Sequence, residues 1–99
     1  MHYLSFDLSL GDDEVTTLEA MASTAAAQHA AVMAEAQQVL DWAWRAFPRT
    51  HGPAEDGNDW DHELRVSVEP GDWHTVALTL TGSRRFVEDF QAEFGLDPD

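Results

Sequence analysis

Two alternating runs separated by one turn constrain this fold more tightly than any other feature of the chain. In 61–69, Leu64, Val66 and Val68 share one side; in 73–81, Val76, Leu78 and Leu80 share one side. Period-two alternation is the mark of half-buried strands, and Glu69-Pro70-Gly71-Asp72 between them is turn chemistry. Cross-strand partners share a face, so pairing Val66 with Val76 satisfies both apolar sets and leaves a three-residue loop. The opposite face then carries Glu63, Arg65, Ser67, Glu69, Trp73, Thr75, Ala77 and Thr79 and is largely polar.

Upstream, Leu4, Phe6, Leu8 and Leu10 alternate with Tyr3, Ser5, Asp7 and Ser9, which predicts a first strand over 3–10. Gly11-Asp12-Asp13-Glu14 ends it and offers a cap and an acidic first turn. No Gly or Pro interrupts 13–47, and apolar positions spaced three or four apart predict one long helix closed by Pro48. Residues 49–58 read as a surface loop. Thr81-Gly82-Ser83 opens a second helix bearing Phe86, Val87, Phe90 and Phe94, with Gly95 as its stop.

The expected architecture is therefore a single α+β domain over 1–99, in the order β-α-β-β-α. Its three-stranded antiparallel sheet has the order 1-3-2, with one long and one short helix packed on one face. The topology resembles a ferredoxin-like pattern lacking its last strand, which carries no function by itself. A 35-residue helix would be ~50 Å long, against ~30 Å for a strand of eight or nine residues. The overhang suggests a homodimer seam along the small residues Ala20, Thr24, Ala27, Ala31 and Ala34.

Charge narrows the functional classes. Nineteen acidic residues against five basic ones, all Arg, give a net charge of −14. Such a surface repels nucleic acid and anionic membranes and attracts basic proteins. There is no cysteine, no signal-peptide pattern and no apolar run approaching the ~18 residues of a membrane span, so a cytoplasmic protein is expected.

Chemistry-bearing patterns are sparse. His62 and His74 face inward but lie about six residue steps apart, roughly 20 Å. His29 falls on the helix core stripe, His2 at a terminus and His51 in the loop, so neither metal nor cofactor is expected. The acidic run Glu55 to Glu63 contains Gly57, yet Trp60 stands where a calcium loop needs a ligand. Asp59 and Asp61 lack the apolar surroundings that would raise a carboxyl pKa, and no nucleophile or phosphate loop accompanies them, so no enzyme is expected.

The tryptophans stand out instead. Trp42 and Trp44 are ~200° apart on a helix; Trp44 belongs with Leu40 and Phe47, which sends Trp42 outward. Trp73 projects from the polar sheet face. Trp60 either folds under its loop or anchors a partner. The expected partner surface comprises Trp42, Glu55, Asp56, Asp59, Trp60, Asp61, Glu63, Asp72 and Trp73. It would suit a small non-enzymatic module that binds a basic protein. The sharpest form is an inhibitor of a nucleic-acid-binding protein, since toxin-immunity proteins and nucleic-acid mimics such as anti-CRISPR proteins are similar in size and charge. The alternative is a homodimeric assembly protein using the Ala-rich seam and the open edge of the first strand.

Overall fold

The computed structural model describes residues 2–11 and 14–95. Its elements run β1 (Asp7–Leu10), β2 (Thr16–Ala25), α1 (Ala26–Ala46), β3 (Trp60–Glu69), β4 (Trp73–Gly82) and α2 (Arg84–Phe94), with a 3-10 turn at Ala54–Asp56. The four strands form one antiparallel sheet in the order β1-β2-β4-β3, and both helices contribute buried residues to the core over one of its faces.

The expected hairpin is present: Val66 pairs with Val76 and Glu69 with Trp73, leaving the loop Pro70-Gly71-Asp72. Asp72 takes a left-handed conformation (φ 61°) next to Gly71 (φ 86°), so the turn uses glycine's freedom and strains one aspartate. Ser83 caps α2 by accepting the Phe86 amide at 3.3 Å, and Gly95 ends it in the left-handed region.

The long helix expected over 13–47 is absent, and the sheet has four strands in the order β1-β2-β4-β3 rather than three in the order 1-3-2. Residues 16–25, read as its first turns, form a central strand between β1 and β4. Leu18, Ala20 and Ala22 face the core while Glu19, Met21 and Ser23 are exposed, a period of two that small residues disguise. Alanine favours helix only weakly, and pairing on both sides overrides it. Asp12 and Asp13, read as the helix start, lie outside the described residues. The first strand is also shorter than expected. Before Asp7, the amides of His2, Tyr3 and Leu4 donate to the Glu35 carboxylate of α1 at 2.9–3.1 Å, which tucks Leu4 into the core.

The overhang disappears with the correction. At 1.5 Å per residue α1 is ~32 Å long, and a ten-residue strand spans ~33 Å. Ala20 and Thr24 lie on β2, and Ala20 is buried, whereas Ala27, Ala31 and Ala34 are exposed on α1; the five do not form one seam.

The chain is built from two ββα units related by a shift of 58 positions. Asp7 pairs with Glu19 as Arg65 pairs with Ala77, and Leu10 with Thr16 as Val68 with His74. The helices begin at Ala26 and Arg84. The two non-glycine residues with positive φ among the described residues, Glu14 (62°) and Asp72 (61°), obey the same shift. Ala20 pairs with Leu78, its own equivalent, so the pseudo-twofold axis passes between them.

Candidate functional site

The units differ where α1 outlasts α2 and the chain returns through 47–59 to start β3. That return is tied down at several points. Thr50 accepts the amides of Asp59 and Trp60 (2.9 and 3.2 Å), and the Gly52 amide donates to Trp60 (2.8 Å). Trp60 is 1% exposed; its indole N–H donates to the Phe47 carbonyl at 2.9 Å, and its ring stacks on Phe86 with 4° between planes. Asp59 accepts from Ser83 Oγ (2.8 Å) and Arg85 (2.7 Å), joining the loop to the start of α2. Partial burial acts to raise the Asp59 pKa, but these donors outweigh it and hold the carboxyl below its ordinary value.

This scaffold brings His51 beside the first residues of β3. The His51 ring packs on Trp44 and Trp60 at 4.6 and 4.5 Å between centroids. Its Nε2 lies 2.9 Å from His62 Nδ1 and 3.2 Å from Asp61 Oδ1. Neighbouring strand residues point to opposite faces, yet Asp61 and His62 meet at one point because Asp61 Oδ1 turns back to accept the His62 amide at 2.8 Å. Burial lowers the His62 pKa, helped by His51 and opposed by Asp61, and so favours neutral imidazole. All three donor atoms lie within 4.8 Å of one another. Two imidazoles and a carboxylate so placed can hold a divalent transition ion or share a proton.

The expected partner surface is dispersed. Trp42 is buried rather than outward: a second helix offers it a core of its own, and it packs against Phe86, Phe90 and Phe94 of α2. Trp44 is the more exposed of the pair. Trp60 lies under its loop, so it is no exposed anchor, and Asp59 is engaged internally. Glu55 and Asp56 are exposed on the 3-10 turn. Glu63 pairs with Arg65 at 3.2 Å. Asp72 and the half-exposed Trp73 sit at the far end of the hairpin, a ten-residue strand or ~33 Å from Trp60. The sequence places His51 in the loop but no local spacing links it to His62; only the return of residues 50–52 alongside Trp60 joins them.

The sheet face opposite the helices is uncovered by any described element. Thr17, Ser23, Thr75, Ala77, Thr79 and Thr81 line its middle, a low surface of small side chains. Met21 (66% exposed) and Trp73 (48%) rise from it. Glu19 lies next to Met21 on its strand face, with Asp7 opposite Glu19, Glu69 pairs opposite Trp73, and Glu63 and Arg65 share the face. Among the described residues no helix is long and apolar enough to cross a membrane. No protein-family model, curated protein or solved structure matches this chain.

Proposed function

We propose that this protein is a non-enzymatic binding module that docks a basic protein on its uncovered sheet face. In its sharpest form it is an inhibitor that occupies the phosphate-binding surface of a nucleic-acid-binding protein. The observation that carries this reading is the composition of that face: Met21 and Trp73 on a floor of small residues, with Asp7, Glu19, Glu63 and Glu69 sharing it. Exposed aromatic and thioether side chains beside charged ones have the make-up of an interaction patch. A net charge of −14 steers a basic partner toward it and keeps nucleic acid away. Glu55 and Asp56 add to the long-range field from the far side of the loop.

The test is capture from nuclease-treated lysate of the source organism, with elution by salt and by duplex DNA. A basic nucleic-acid-binding protein should be retained, be displaced by DNA, and bind roughly tenfold or more weakly to a Glu19→Arg/Glu69→Arg variant. Retention unchanged in that variant and insensitive to salt would refute the reading.

A second reading, self-association, is favoured by one observation. Both edge strands carry exposed apolar pairs at pseudo-equivalent positions, Leu8 and Leu10 on β1 and Val66 and Val68 on β3. A ten-residue edge with apolar side chains is a template for pairing with a second copy. Light scattering at high concentration distinguishes a dimer from the 11.0 kDa monomer.

A further inference from the structure

We infer that His51, Asp61 and His62 form a binding site for one divalent transition-metal ion of the zinc class. Its ligands are His51 Nε2, His62 Nδ1 and Asp61 Oδ1, with at least one coordination position left to solvent. The inference does not depend on the docking face proposed above.

His51 Nε2 approaches both His62 Nδ1 (2.9 Å) and Asp61 Oδ1 (3.2 Å). In the tautomers that leave both nitrogens unprotonated, each of these three atoms turns a lone pair toward the others. A cation at their centre would satisfy all three. Donors around a tetrahedral zinc, bound at about 2.0–2.1 Å, are about 3.3 Å apart, close to the separations from His51.

The donors are also held in place. His51 packs against both the Trp44 and Trp60 rings, which also touch each other, and its backbone bridges to Trp60. His62 follows Trp60 on β3 and lies against its ring, 5.7 Å between centroids. The Asp61 carboxylate is fixed by the His62 amide. A site whose ligands need little reordering on binding keeps more of its affinity.

The 58-residue relation covers β1 only from Asp7 to Leu10, so Asp61 and His62, which pair with Thr81 and Leu80, have no strand-paired counterpart in the first unit. Two nitrogens and one oxygen also set the class of ion: calcium and magnesium prefer all-oxygen shells, whereas imidazole suits zinc, cobalt, nickel and copper.

The experiment uses the full, tag-free chain, stripped with chelator and titrated with Zn²⁺ by calorimetry in excess Mg²⁺, which occupies the diffuse acidic surface. Co²⁺ serves as a spectroscopic probe. One ion per chain should bind, and Co²⁺ should give visible absorption bands of a low-coordinate site. His62→Leu and His51→Gln should each weaken Zn²⁺ binding by roughly tenfold or more, and Glu55→Gln should leave it unchanged. Near-UV circular dichroism reports whether each variant folds; if His62→Leu does not, His51→Gln and Asp61→Asn decide. Absence of saturable binding, a stoichiometry other than one, or folded His51 and His62 variants that bind like the parent would overturn the inference.

Discussion

Gly82 ends β4 at the point where α2 turns back over the sheet. A Cβ built there would lie 2.4 Å from Phe86 Cδ2, and Phe86 is wholly buried against Trp42, Phe47 and Trp60. Gly82→Ala must therefore displace the ring at the centre of the aromatic core. The expected cost is about 1–3 kcal/mol in urea denaturation, through overpacking rather than backbone conformation. Asp59 acts through charge. Its folded-state pKa is lowered, so its contribution to stability is present above the ordinary carboxylate range and is lost as pH falls through the lowered value. Asp59→Asn should thus be destabilising at neutral pH, and its deficit should shrink when the same denaturation is run in acid. A deficit that grows in acid would contradict that sign.

At the scale of elements, the joint between the N-terminal segment and α1 is the most exposed to test. Three successive amides share one carboxylate, Glu35, and no strand pairing holds residues 2–6. Glu35→Gln keeps size but removes the charge that makes these bonds strong. Hydrogen exchange should show the amides of His2, Tyr3 and Leu4 losing protection while β2 and β4 keep theirs. Because Leu4 is anchored by this contact, a loss of about 1–3 kcal/mol in global stability should accompany it. β2 shows how an element depends on its neighbours. It passes straight into α1 with Ala25 as a cap lacking any side-chain bond, so nothing local marks where strand stops and helix begins. Position relative to β4 marks it, and Ser83 does the same at the equivalent point with a local cap.

The whole molecule carries its charge as a diffuse field. With 19 acidic residues against five basic ones, folding brings like charges together, and salt screens them. The melting temperature should rise as NaCl increases from near zero to about 0.2 M, where the Debye length falls below about 8 Å. A fall would mean that the few ion pairs, such as Arg85 with Asp59, outweigh the general repulsion.

By itself the sequence determined what short-range chemistry can settle. The β3–β4 register follows from two apolar alternations and a Pro-Gly-Asp turn, α2 from Ser83 and Gly95, and the burial of Phe86, Val87 and Phe90 from helical spacing. The tertiary structure decided the rest. Residues 16–25 combine Thr, which favours strand, with Ala, Leu, Glu and Met, which favour helix, and hydrogen bonding to strands on both sides chose strand. Trp42 faces inward only because α2 is there to receive it. His51 meets Asp61 and His62 because a loop returns alongside β3, a contact between distant residues that no local period encodes.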